Sequence, residues 1–127
     1  VPAIQVGDQI STSGQLPLVS GSLPMTGLVG DQISQGDAAG QARVAALNAL
    51  AAAADVAGGV NNIRRVVRVV VYVASTADFT AQPAVANGAS ELFGEIFGDA
   101  GRHIRSAIGV ASLPLGAPVK VELTVQV

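Results

Sequence analysis

Residues Ile63–Ala74 read IRRVVRVVVYVA, the densest run of β-branched residues in the chain. Branched side chains pack well on a pleated, half-buried surface, so the run predicts a strand. Its odd positions from 67 to 73 are Val67, Val69, Val71 and Val73, and its even positions carry Arg64, Val66, Arg68, Val70 and Tyr72. A period of two puts the first set on one wholly apolar face and the second on a mixed face.

On the N-terminal side of this strand, Asp37 is a good N-cap, and Ala-rich sequence runs on to Ala57. Val44, Leu47, Leu50, Ala51 and Ala54 recur at helical spacing, and Gly58-Gly59 supplies a stop. Leu16–Gly36 holds two prolines and four glycines and reads as a long surface loop, a kind that is often functional or mobile. Ahead of it, Ala3–Val6 and Gln9–Ser13 flank Gly7-Asp8 as a hairpin.

On the C-terminal side, Asp78-Phe79 begins a connection, and Pro83 opens a helix that runs to about Phe97, before Gly98. Val85, Ala89, Leu92, Phe93 and Ile96 form its inner face, with Asn87, Glu91 and Glu95 outside. Two strands close the chain. In His103–Val110, Ile104, Ser106, Ile108 and Val110 alternate with Arg105, Ala107 and Gly109. In Val119–Val127, five aliphatic residues alternate with Lys120, Glu122, Thr124 and Gln126.

The predicted order is β-β-α-β-α-β-β in one domain, residues 1–127. Helical crossovers between strands imply an α+β fold, a mixed sheet with both helices on one face. The other face is expected to collect Arg64, Arg68, Tyr72, Arg105, Lys120 and Glu122. It also carries Val66, Val70, Ala107 and Gly109, which are poor choices for a solvated surface, so a second subunit is expected to cover it.

Composition narrows the function. The 127 residues include 22 Ala and 19 Val; half are hydrophobic, only 3% are aromatic and 13% are charged. With no Cys and one His, thiol chemistry and most zinc or histidine-based sites are excluded. His103 lacks a partner of metal-ligand type and reads as structural or solvated. An isoelectric point near 5.1 argues against a generic nucleic-acid binder. The mean hydropathy is +0.50, yet the longest apolar runs, Ala49–Ala54 and Val69–Ala74, fall far short of the ~18–20 residues a membrane span needs. No secretory signal is visible, and a cytoplasmic setting is expected.

Several segments together carry a family resemblance. They are Arg102–Pro114 (RHIRSAIGVASLP), Val119-Lys120-Val121-Glu122, Ser13-Gly14-Gln15-Leu16-Pro17, Val71-Tyr72-Val73-Ala74-Ser75 with Asp78-Phe79, and Asn87 early in the second helix. In this collinear order they resemble the Rid family, the reactive-intermediate deaminases also called YjgF-type or L-PSP endoribonucleases. The resemblance implies a chorismate-mutase-like fold and a homotrimer with clefts between subunits. It also implies hydrolysis of small 2-imino or enamine acids, of the 2-aminoacrylate/2-iminopropanoate type, to a 2-keto acid and ammonia, without cofactor or metal.

By the same resemblance, Arg105 holds the substrate carboxylate, a task its planar fork suits. Glu122 matches the residue that positions the attacking water and can accept its proton. Asn87 and Ser13 match cleft residues, and Ala107 contributes through its main chain. Ala107 stands where the well-studied deaminases carry Cys, so any thiol role is lost. The expected partner is a small carboxylate, with no nucleic acid and no membrane. Two other readings stand beside this one: a non-catalytic carboxylate-binding trimer acting as sensor or regulator, and an endoribonuclease. The second lacks suitable acid–base material and phosphate attraction.

Overall fold

The computed structural model describes residues 1–127. In chain order it comprises β1 (Ala3–Val6), β2 (Gln9–Thr12), α1 (Gln35–Ala57), β3 (Arg65–Ala74), α2 (Gln82–Phe97), β4 (Ile104–Val110) and β5 (Val119–Gln126). The five strands form one sheet in the order β1-β2-β5-β3-β4. β3 is parallel to β4 and antiparallel to β5, so the sheet is mixed, and both helices pack against the same face. No helix is long and apolar enough to cross a membrane.

The core lies between the sheet and the helices. From the sheet it takes Ile10, Val66, Val69, Val71, Val73, Val119, Val121, Leu123 and Val125. Val66 was expected on the open face. The register slips between Val66 and Arg68, leaving Val67 as the extra residue of a bulge. That extra residue resets the alternation, so Val66 is fully buried opposite Val125 while Val67 is only partly buried.

The register also corrects the faces of β4. Arg68 pairs with Ile104, Val70 with Ser106 and Tyr72 with Ile108, while Val69, Val71 and Val73 pair with Arg105, Ala107 and Gly109. Paired residues share a face. Arg105, Ala107 and Gly109 therefore lie on the helix-covered side, not on the open face, and Ile104 and Ile108 point outward, 61% and 44% exposed. Space explains the inversion. A Cβ added at Gly109 would come within 2.7 Å of Gln82 Nε2 and 3.1 Å of Ser75 Oγ, so the ground beneath α2 admits small residues and rejects isoleucine.

The helices repeat the lesson. α1 is capped by Ser34, whose Oγ accepts from the Asp37 N–H at 3.1 Å; Asp37 sits in the first turn rather than at the cap. Its buried stripe is Ala38, Gln41, Ala42, Ala45, Ala46, Ala49, Leu50 and Ala53, while Leu47 is half exposed. α2 buries Val85, Ala86, Ala89, Leu92 and Phe93 and leaves Ile96 largely outside. The two helices approach closely at Gly88, where a Cβ would collide with the Ala39 carbonyl.

The segment 16–36 is better anchored than a surface loop. Gln15 and Val121 exchange backbone hydrogen bonds, and Asn48 Nδ2 donates to the Leu16 and Leu18 carbonyls. Val29 is fully buried and bonds the backbone at Ala74 and Thr76, and Ile33 is buried beside it.

Candidate functional site

Arg105 lies on β4, the last strand of the sheet, beneath the edge of α2. Its Nη1 donates to Asn87 Oδ1 at 2.8 Å and to Ser90 Oγ at 3.2 Å. Asn87 and Ser90 are three residues apart on α2, the spacing that places two side chains on one helix face. Both acceptors are neutral. The chain's ion pairs are Arg43–Glu95 at 2.6 Å and Arg102–Asp99 at 3.8 Å, and neither involves Arg105. Its Nε and Nη2 make no hydrogen bond within the chain. The guanidinium is thus fixed through one nitrogen, with its charge uncompensated and donors to spare for a carboxylate.

Arg105 shares an open groove of about 570 Å³ with Ser90, Gly94, Gly98, Gly101, Arg102 and His103. Of the two readings of His103, structural or solvated, the structure takes the first. His103 is half-buried, with Nε2 2.9 Å from Ser90 Oγ and Nδ1 2.6 Å from the Gly101 carbonyl oxygen. Phe93 meets the imidazole edge-on, with ring centroids 5.9 Å apart. Ser90 and His103 were not among the expected site residues. The legible signal was the Asn87–Ser90 spacing, which aims a hydroxyl wherever the amide points.

Glu122 is elsewhere. It pairs with Val70 on the open face of the sheet, next to Tyr72 and Lys120. Lys120 Nζ stands 4.9 Å from the centroid of the Tyr72 ring. The Tyr72 phenol is held above its ordinary range, first by burial, then by the negative charge of Glu122 beside it. Ser13 follows β2 on this same flank: its Oγ accepts from Gln15 Nε2 at 3.1 Å, and Gln15 bridges to Val121. Gly14 lies against the Lys120 side chain so closely that a Cβ there would clash.

The expected site residues therefore fall into two groups. Arg105, Asn87 and Ala107 gather at the α2–β4 edge, with Ala107 packed against the core. The outer edge of β4 presents main-chain N–H and C=O groups that no further strand pairs. Ser13 and Glu122 gather on the open side around β5. Arg105 and Glu122 are on opposite faces of one sheet, and a single chain does not bring them together. No three His, Asp or Glu side chains converge.

Residues 1–127 match the protein family described as "YjgF/chorismate_mutase-like, putative endoribonuclease". The chain is 40% identical over 121 residues to Protein TCP17 of Trypanosoma cruzi, which covers 94% of this chain and 76% of that one. Its structure superposes on protein Atu1372 of Agrobacterium tumefaciens, a protein of unknown function, with a TM-score of 0.97 and 40% identity over 100% of this chain and 82% of that one. A protein from Shewanella oneidensis described as "a putative endoribonuclease" gives 0.96 and 31% identity, over 100% and 84%.

Proposed function

The chain belongs to the YjgF/chorismate mutase-like family, and from that premise we propose that it hydrolyses small 2-imino and enamine acids to a 2-keto acid and ammonia. The reaction takes place in clefts between the subunits of a homotrimer. The observation that carries this reading is Arg105: a guanidinium oriented by two neutral acceptors, with its charge free.

An imine carbon is already electrophilic, so the enzyme's work is orientation and proton transfer. Arg105 holds the substrate carboxylate in a fork, and Asn87 keeps that fork from swinging. Glu122, brought by a neighbouring chain, takes a proton from the attacking water. Water adds across C=N, the C–N bond then breaks, and the products are keto acid and ammonia. The uncovered sheet face, with Ile104, Ile108 and Val70 outward, supports an assembly that supplies the second half of the site.

The test is keto acid release from freshly generated 2-aminoacrylate. Arg105→Ala abolishes release while assembly, followed by light scattering, stays intact. Equal rates for the variant and the unaltered protein reject the reading.

A further inference from the structure

We infer that Ser90 and His103 form a proton relay for the reaction at Arg105, with Ser90 touching the substrate and His103 acting through it. The inference rests on the deaminase reading and adds to it the groups that move the proton on the Arg105 side.

The hydrogen bonds fix the direction of the relay. A carbonyl oxygen only accepts, so His103 Nδ1, 2.6 Å from the Gly101 oxygen, carries the proton. In the neutral ring Nε2 is then bare, and the Ser90 hydroxyl donates to it across 2.9 Å. Arg105 Nη1 donates to the same oxygen. A hydroxyl has one proton and two lone pairs, so one lone pair of Ser90 Oγ remains for the groove it lines.

The ring is held as a positioned group, not left as a surface histidine. Gly101 is buried, and a Cβ there would strike the Phe93 carbonyl, so a glycine is needed to bring its own carbonyl under Nδ1. Phe93 closes on the imidazole edge. The charged groups sharing the grooves around His103 are Arg105 on β4, Arg65 on β3 and Arg102 in the loop before β4. Asp99, the carboxylate in that loop, pairs with Arg102. No carboxylate of this chain bonds the ring, and Glu122 is on the other face.

The chemistry leaves a task for such a pair. Addition of water gives a carbinolamine, which must lose its hydroxyl proton and gain one on nitrogen before ammonia can leave. Arg105 and the Asn87 amide do not cycle a proton. In the inferred step the carbinolamine O–H transfers to Ser90 Oγ as the Ser90 proton moves to His103 Nε2. The imidazolium returns that proton through Ser90 to the amino nitrogen, the C–N electron pair then leaves with ammonia as the C=O forms, so the enzyme is unchanged and nothing is oxidised or reduced.

The test measures keto acid release against pH in Ser90→Ala, Ser90→Thr, His103→Gln and Arg105→Ala, together with pyruvate affinity by calorimetry. Ser90→Ala and His103→Gln each lower kcat by roughly 100-fold, the usual worth of a positioned proton-transfer group, while pyruvate binding stays within about three-fold. The loss in His103→Gln falls on kcat and leaves KM in place, a split that a merely structural histidine would not cause. Ser90→Thr, which keeps the hydroxyl, recovers to within about ten-fold of the unaltered rate. Turnover that depends on Arg105 but is indifferent to Ser90→Ala and His103→Gln overturns the relay alone, as does a loss confined to KM. Absent turnover, or turnover indifferent to Arg105→Ala, overturns the deaminase reading and the relay with it. Should Ser90→Ala fail to assemble, His103→Gln and Ser90→Thr decide the matter.

Discussion

Subunit mixing tests the divided site directly. Arg105→Ala leaves a chain with Glu122 but no carboxylate clamp; Glu122→Gln leaves the clamp but not the carboxylate. Each homo-oligomer is inactive if both residues are needed. The two residues lie on opposite faces of the sheet, Arg105 in register with Val69 and Glu122 with Val70, so the proposed cleft must draw them from different chains. Equal amounts of the two variants are unfolded together in urea and refolded. In a closed ring, a cleft is complete when its Arg105 comes from the Glu122→Gln chain and its Glu122 from the Arg105→Ala chain; random assembly makes that about one cleft in four. Keto acid release is therefore expected to return to about a quarter of the activity of the unaltered protein treated the same way, and to follow the product of the two chain fractions as the mixing ratio varies. If both residues served one cleft within one chain, mixing would restore nothing at any ratio. A mixture that assembles normally and stays as inactive as its parents refutes the two-chain site.

Asn87→Asp keeps the shape of the Arg105 anchor and adds a negative charge, and it is expected to weaken pyruvate binding about ten-fold beyond Asn87→Ala, since a unit charge a few ångströms from the ligand costs about 1–2 kcal/mol at a protein surface. Calorimetry on the two variants decides it, and equal affinities would show that the neutrality of the anchor is irrelevant. Gln41 is buried with its Oε1 unpartnered, so Gln41→Met is expected to stabilise the fold by about 1–2 kcal/mol in urea denaturation, with the slope unchanged. Gly88→Ala improves helix propensity but drives a Cβ into the Ala39 carbonyl; a net loss of about 2 kcal/mol is expected, measured the same way. Tyr72 is the chain's one tyrosine, so its phenolate absorbance can be titrated directly. Burial and the Glu122 charge both disfavour the phenolate, so it ionises above the ordinary tyrosine range, and Glu122→Gln brings the midpoint down towards that range without reaching it, because burial, the larger cause, remains.

The alternation of β5 was legible because its two sets differ sharply: every odd residue from Val119 to Val125 is buried, and every even one is partly exposed. The bulge at Val67 was not, because Val66-Val67 offers the same side chain on either side of the slip. β4 misled for a different reason. Apolar residues normally mark the inward face of a strand, but at this edge the space under α2 admits only Ala107, Gly109 and the narrow stem of Arg105. The isoleucines are displaced outward, onto the open face of the sheet. In α1 the apolar period is blurred because Ala is both the filler and the face, so steric closeness to α2 rather than side-chain size chooses the buried stripe. Arg105, Glu122, Asn87 and Ser13 were singled out through sequence resemblance alone. That they form two groups required the strand register, since no spacing along the chain says which face a residue takes after a bulge.

The charge on α2 is sorted by direction. Glu95 pairs with Arg43 of α1, its carboxyl pulled below the ordinary range by that hydrogen bond and charge, and Glu91 adds its field to the same arginine. The residues of α2 that hydrogen-bond to Arg105 on β4 are Asn87 and Ser90, both neutral. One helix thus spends its acids on a helix–helix pair and offers only uncharged acceptors to Arg105. Had either acid pointed the other way, the guanidinium would carry a resident counter-ion, and a substrate carboxylate would have to displace it. In a chain with 13% charged residues, few other acids are present to take that place. The low charge content is therefore part of the proposed site's chemistry: it leaves Arg105 oriented by neutral acceptors alone, with its charge open to a substrate carboxylate.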